Sequence, residues 1–467
     1  MKKIAVVMLL GMVLGLTSSS PAQEQIFFAG QELGVGARAM AMGGAYVGIA
    51  DDYSAMYWNP AGLGQMRRSE LNIGFSHNAM ENTATFLGQE FDSKDTFTRL
   101  NSIGLSFPIP TYRGSLVLGI GYNKVRDYNN TLEFEGFNTR YAAFQDWVAP
   151  TYIDDDSGLP FTTTIDDSVY QKESLYEDGS MNEFVLSGAI EVQKNFFLGA
   201  TVAFLGGKDE YNLLFDEADI YNIYNTPLYE TPTIISDLDY WLYDQTITSE
   251  FSGTRLRLGG LYKLGNIRLG ATMTAPTEIR VKEAWSEVQK EYYDQEFYDD
   301  EAYEELTDSG EFEYKYREPY AFSFGGSIQL INVLLSGAVD FQDWSQAEFT
   351  TEPPVGGTKG EINNVLRREL QAVTKVRLGA EVTIPIIDAR VRAGYFNSPS
   401  PYKYATMVPD MEYLSAGFGL MLGRQAMFDL SLVHGTWQTE TVDDLTQVKT
   451  VEEKTFDKLV GTLKIRF

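Results

Sequence analysis

The chain holds two histidines, His77 and His434, and no cysteine, so acid–base or nucleophilic chemistry would have to be built around one of these imidazoles. Ser431 lies three positions before His434, and on an extended strand residues at that spacing point to opposite faces. No other nucleophile and base come together in the sequence, so no catalytic residue is assigned and the expectation is a protein that is not an enzyme. The stretch Gly34-Val35-Gly36-Ala37-Arg38-Ala39 superficially matches a dinucleotide loop, but no strand precedes it and no βαβ unit follows. No cofactor is expected. Acids outnumber Lys and Arg by 65 to 37, for a formal net charge of −28. Between Glu283 and Glu313 thirteen acids face the single base Lys290. Such a field repels nucleic acid, which needs basic neutralising groups. Carboxylates this dense could bridge divalent cations to anionic surface lipid, but no run has calcium-loop spacing with its glycine. Solvated loops, with no metal site, are the expected reading.

The basic residues that remain recur at alternate positions of apolar segments. In 254–264, Leu256, Leu258, Gly260, Tyr262 and Leu264 share one face, and Arg255, Arg257, Gly259 and Lys263 the other. Segments 375–384 and 388–396 repeat the pattern with Arg377, Arg390 and Arg392 on the polar face. Period-two alternation over about ten residues is the length a tilted strand needs to cross a bilayer. The connections have two sizes. Six are short: 108–113, 193–195, 264–266, 330–332, 385–388 and 422–425. Seven are long: 77–100, 125–182, 207–253, 282–317, 345–372, 397–412 and 438–455. They join fourteen strands in an up-and-down meander, which predicts an all-β fold: a 14-stranded antiparallel transmembrane β-barrel with tight periplasmic turns and large outer loops.

Closure also removes the edges that so large a sheet would expose. The apolar faces then meet lipid and the charged faces line the lumen, where Arg and Lys are expected to pair with Asp340, Glu381 and Asp429. Tyr122, Tyr262, Phe341, Trp344, Tyr395 and Trp437 stand near strand ends, as interfacial girdles require. The last strand is oily on one face, charged on the other, and ends in Phe467, resembling the insertion signal of outer-membrane barrels. In the long loops, Tyr211, Leu213, Leu214, Phe215 and Tyr221 suit a short amphipathic helix or hairpin. Leu213, Leu214, Phe215, Tyr221 and Trp285 are the candidates for ligand capture, although packing that caps the barrel explains them equally well.

The N-terminus reads as a secretory signal: Lys2 and Lys3, an apolar run Ile4–Leu16, then Ser20-Pro21-Ala22 before Gln23. Without cysteine there is neither a lipid anchor site nor a disulfide framework. After Ala22 no apolar run is long enough for a spanning helix, so the bacterial outer membrane is the expected location. The expected division is 1–22 signal peptide, 23–68 a Gly- and Ala-rich plug, and 69–467 the barrel.

Within the plug, Gly36-Ala37-Arg38-Ala39-Met40-Ala41-Met42-Gly43-Gly44-Ala45-Tyr46, then Ala50-Asp51-Asp52, then Trp58-Asn59-Pro60-Ala61-Gly62-Leu63 resemble the N-terminal hatch of the FadL/TodX family. These are outer-membrane transporters of long-chain fatty acids and other hydrophobic compounds. The resemblance implies a monomer without cofactor that captures a hydrophobic small molecule on its outer loops. The hatch then shifts, and the ligand leaves sideways into outer-membrane lipid through an inward kink of the third strand. Carried onto this chain, Asn59, Pro60 and Ala61 are the hatch or gating residues, beside a third strand at 114–124. Gly119 and Gly121 on its inward face are candidates for the kink, or simply leave room for the plug. The bulky run Tyr53-Ser54-Ala55-Met56-Tyr57-Trp58 also looks like the PorV branch. That branch implies a different role, in which the loops bind secreted protein partners in type IX secretion.

Overall fold

The alternation becomes, in the computed structural model, a closed antiparallel barrel of fourteen strands. The structure describes residues 32–112, 114–144, 151–153, 160–163, 168–224, 234–235, 238–293, 303–354, 357–403 and 408–467; the expected signal segment 1–22 lies outside them. The wall runs β1 (Glu70–Phe86), β2 (Gln89–Ile109), β3 (Leu116–Asp127, resuming as Asn130–Asn138), β4 (Val169–Gln193), β5 (Phe196–Ala218), β6 (Leu238–Leu264) and β7 (Ile267–Thr274, resuming as Thr277–Tyr293). It continues as β8 (Tyr303–Glu318, resuming as Ala321–Leu330), β9 (Val333–Asp343), β10 (Ala372–Ile384), β11 (Ala389–Ser398), β12 (Met411–Leu422), β13 (Ala426–Val442) and β14 (Lys449–Arg466). β14 pairs back onto β1, from Glu70 opposite Arg466 to Thr85 opposite Val451, so the ring has no free edge there.

Outward positions form an apolar belt. Phe184, Leu186, Leu198, Leu258, Leu269, Phe324, Leu378, Val391, Leu414 and Leu432 are all exposed. The inward positions between them carry Arg255, Arg257, Arg377, Arg392 and Lys464, all buried. This inversion of the water-soluble pattern is what lipid around a polar lumen requires, and it makes the barrel of the outer-membrane type. Trp344 and Trp437 depart from the girdle expected of them. Trp344 lines the lumen, and Trp437 packs inward against Tyr413 with ring centroids 6.2 Å apart.

Several expected outer loops are strands. β1 and β2 run past the belt to a two-residue turn at Leu87 and Gly88, both with positive φ, and β5 to β8 extend in the same way. Beyond the belt the outward side chains turn polar, as with Thr96 opposite Ala79 and Glu210 opposite Thr248, while the hydrogen-bonded ladder continues. Hydrophobic alternation therefore ends where the bilayer ends, not where the strand does. β7 and β8 are interrupted next to each other at Pro276 and Pro319, where a ladder donor is missing. In the connection from β9 to β10 stands one longer helix, α3 (Lys359–Glu369), opened by a capping box between Thr358 and Glu361.

Residues 32–66 pass among the inward faces of the wall as α1 (Ala37–Ala41), α2 (Ala55–Trp58) and a 3-10 turn Pro60–Gln65, almost entirely buried. Inward glycines let this segment lie against the strands. A Cβ at Gly394 would stand 2.0 Å from the Gly43 nitrogen, and one at Gly199 would stand 2.4 Å from the Pro60 carbonyl carbon.

Candidate functional site

Polar bonds hold the N-terminal segment to nearly every side of the wall. Arg38 forks onto Glu381 of β10, with Nε–Oε2 2.8 Å and Nη2–Oε1 3.0 Å, and also reaches Asp51 at 2.5 Å. Lys464 of β14 bridges Asp52 at 3.0 Å and Asp429 at 2.6 Å, and Arg392 binds Glu381 and Asp429, each at 2.7 Å. Arg377 pairs with Asp340 at 2.7 Å. Glu381, Asp429 and Asp340 are the partners the sequence suggested for the lumenal cations, and Asp51 and Asp52 of the N-terminal segment are added to them. A fork of two parallel N–H donors fixes orientation as well as charge, so Arg38 locates α1 against β10.

The Asn59-Pro60-Ala61 triplet lies away from the third strand. The Asn59 amide donates to the carbonyls of Val47 at 2.8 Å and Gly260 at 3.1 Å, and its Oδ1 caps the Ala61 N–H at 3.1 Å. Pro60 and Ala61 rest on Gly199 of β5 and Gly259 of β6. The third strand is met instead by Tyr53 and Met56. A Cβ at Gly121 would fall 2.0 Å from the Tyr53 hydroxyl oxygen, and one at Gly119 would fall 2.0 Å from the Met56 methyl. Through these two glycines β3 keeps an unbroken register with both β2 and β4, so they make room for the segment and do not bend the strand.

The bend comes later. The β2–β3 ladder ends at Ser102 opposite Asn123, and the β3–β4 ladder shifts register between Lys124 and Arg126. Beyond this point β3 stays paired with β4 but leaves the β2 ladder and turns into the lumen, lying against the inner sides of β1 and β2. Asp127 then meets Lys458 of β14 at 2.9 Å, Arg126 meets Glu318 of β8 at 2.7 Å, and Phe134 stacks on Phe86 at 4.3 Å. Among the described residues, β2 from Gln89 to Asn101 has no ladder on its β3 side. Two buried amides mark the parting. Asn101 has no hydrogen-bond partner for either side-chain atom, and Asn123 has none for its nitrogen, while its oxygen accepts from Tyr53 at 3.0 Å. The sequence had placed the residues after 124 in a loop; the only local sign of their role was the inward glycines that precede them.

Above the N-terminal segment, where Pro319 interrupts β8, the lumen holds a cavity of about 130 Å³. Arg126, Arg255, Arg257, Lys375 and Arg377 line it together with Glu32, Glu318 and Asp340. Arg257 stacks over Tyr57 at 4.8 Å and Arg377 over Trp58 at 5.3 Å, so two of the cations rest on aromatic faces of α2. An apolar cluster closes the mouth farther out. Leu213, Phe215, Trp241 and Phe144 are buried there, with Phe144 edge-on to Trp241 at 6.0 Å. The Glu217 carboxylate lies against it and accepts from the N–H groups of Ala143 at 2.6 Å and Phe144 at 2.9 Å. Burial pushes its pKa up to about 7.

The five capture candidates divide. Leu213 and Phe215 belong to the mouth cluster, and Trp285 packs against it. Leu214 alternates to the outer surface. Tyr221 stands at the rim, its ring edge-on to Phe137 at 5.0 Å, between exposed Ile220 and Ile223. The histidines face outward, His77 with Thr98 and His434 with Asp457, each at 2.8 Å, while Ser431 is buried on the inner face.

No protein-family model and no curated protein sequence matches the chain. Solved structures do. The Pseudomonas putida toluene transporter TodX is similar at 13% identity over 94% of this chain and 99% of its own, with a TM-score of 0.59. A Pseudomonas aeruginosa FadL homologue gives 14% identity, 94% and 98% coverage, and a TM-score of 0.56. The Ralstonia pickettii toluene transporter TbuX gives 15%, 94% and 99%, and 0.50. At these identities the likeness is one of fold, and it extends over nearly the whole of each chain.

Proposed function

We propose that this protein is a FadL-like outer-membrane channel for the passive uptake of hydrophobic compounds, long-chain fatty acids or similar lipophilic molecules. The ligand is captured at the outer mouth, admitted by a shift of the N-terminal hatch, and released sideways into the membrane. The observation that carries this reading is the parting of β2 from β3 above Asn123, which leaves a seam in the wall without a backbone ladder. A straight aqueous path is opposed by the buried segment 32–66 and by the mouth cluster. A hydrophobic molecule released into lipid regains about 0.8 kcal/mol per methylene, so its gradient suffices and no energy source is needed. The shared fold with TodX and the FadL homologue supports the same reading.

In this channel the hatch is residues 23–68. Asn59, Pro60 and Ala61 hold it on β5 and β6, and Tyr53 and Met56 hold it on β3. Tyr221 with Ile220 and Ile223 offers the first apolar contact, and Leu213, Phe215 and Trp285 lie deeper. The test is uptake of a labelled long-chain amphiphile into proteoliposomes, by the intact protein and by a variant with Asn59, Pro60 and Ala61 all changed to Gly. Saturable uptake that changes in the variant is expected. A broad ligand panel that never exceeds empty vesicles would sink the proposal. The exposed Ile220-Tyr221-Ile223 patch would then favour the second reading, a PorV-like barrel that binds secreted protein partners.

A further inference from the structure

We propose that the lumenal cavity is an anion-binding site whose occupant in the resting channel is the hatch's own Glu32 carboxylate, and that the anionic head of an incoming amphiphile displaces it. The inference rests on the channel reading above and adds the head-group chemistry and the residue that guards the site.

The cavity's charge is out of balance. Five cations, Arg126, Arg255, Arg257, Lys375 and Arg377, converge on it in a chain whose net charge is −28. Wall carboxylates satisfy part of this: Glu318 holds Arg126 at 2.7 Å and Arg255 at 2.9 Å, Glu183 holds Arg255 at 2.8 Å, and Asp340 holds Arg377 at 2.7 Å. Lys375 has no ion-pair partner among the described residues. The remaining carboxylate comes from the hatch. Glu32 accepts from Arg126 at 3.2 Å and from the Tyr57 hydroxyl at 2.9 Å, and stands 3.9 Å from Arg255. Three wall acids against four buried arginines and the partly buried Lys375 leave a site that is incomplete without an anion, because unpaired buried charge is costly.

Glu32 differs from the wall acids in two respects. Its contacts to arginine, 3.2 Å at the shortest, are longer than the shortest arginine contact of each wall acid, and its side chain remains 27% exposed, against 5% for Glu318, 0% for Glu183 and 24% for Asp340. It is also joined to α2 through Tyr57, whose ring carries Arg257 on its face. A carboxylate, sulfate or phosphate head that takes the place of Glu32 therefore frees the Tyr57 hydroxyl and the start of the hatch in one step. A tethered group competes at an effective concentration in the millimolar range. Only a ligand whose chain adds apolar contacts to its charge outcompetes it, so small inorganic anions are excluded while anionic amphiphiles are admitted.

The experiment uses the full-length protein in lipid nanodiscs and measures calorimetric binding of tetradecyl sulfate, tetradecanol and inorganic sulfate against empty nanodiscs. Glu32→Gln keeps the shape and an acceptor for Tyr57 but removes the competing charge. It is expected to tighten tetradecyl sulfate about tenfold and leave tetradecanol within about twofold. Lys375→Gln, which breaks no ion pair, is expected to weaken tetradecyl sulfate about tenfold with the same indifference to the alcohol. If tetradecanol binds but Glu32→Gln leaves tetradecyl sulfate unchanged or weaker, the self-ligand is overturned and the channel reading stands. If neither amphiphile binds any variant above empty nanodiscs, both fall together.

Discussion

Arg99 of β2 forms an ion pair with Asp178 of β4 and donates to the Gly179 carbonyl at 2.9 Å. The strand that belongs between them, β3, has turned into the lumen at this height, so a side chain spans a seam that no ladder closes. Asn129 joins from the inner side, its amide donating to Asp178 at 2.8 Å. A half-exposed clasp of this kind contributes about 1 kcal/mol or less, little enough for thermal opening.

Asp178→Asn should therefore raise the initial rate of hydrophobic-probe uptake by up to about fivefold, the equivalent of about 1 kcal/mol. The comparison is made in proteoliposomes at equal barrel content. A rate that is unchanged or lower would mean that ligand does not leave by this seam.

The inward glycines should differ in their tolerance of a methyl group. At Gly119 the added Cβ meets the flexible tip of Met56, whereas at Gly394 it meets the backbone nitrogen of Gly43. Gly394→Ala should cost about 1–3 kcal/mol through overpacking, and Gly119→Ala clearly less. Thermal unfolding followed by gel mobility of the folded barrel ranks the two, and equal midpoints would contradict the packing described for the hatch.

Arg38→Met should loosen the hatch without opening the barrel. Glu381 retains Arg392 and Asp51 retains Arg268, so the loss falls at the lower end for a broken buried pair, about 3 kcal/mol. Planar-bilayer recordings should then show ion conductance that the parent protein lacks. Silent recordings from a correctly folded variant would argue that Arg38 does not hold the plug.

The mouth should respond to pH through Glu217. Its carboxyl is raised from an ordinary 4.5 to about 7 by burial, so the folded state binds the proton more tightly than the unfolded one. The stabilisation is full below about pH 4.5 and is lost as pH rises through about 7. Amide exchange at Ala143 and Phe144, corrected for intrinsic rate, should be slower at pH 5 than at pH 8 by a margin that Glu217→Gln abolishes. A margin that persists in the variant would assign the effect to another group.

Much of this protein is local, and what is local was legible. Alternation at Leu256, Leu258 and Tyr262 against Arg255 and Arg257 names the lipid and lumen faces without knowledge of neighbours, because strand side chains alternate by geometry alone. Turn size did the rest, giving fourteen strands, their order and the closure of β14 on β1. Alternation carries no height, however. It could not tell that β1 and β2 run on beyond the lipid, that Trp437 faces Tyr413, or that β3 bends after Asn123 and not at Gly119. It also names no partner across the lumen. Glu32, Arg126, Arg255 and Lys375 lie as much as 343 positions apart along the chain and meet only because the ring closes around a buried segment. The sequence thus determined a barrel and the face of each residue, while tertiary structure decided which charges share a cavity, since Coulomb pairing depends on distances through space that period-two spacing does not encode.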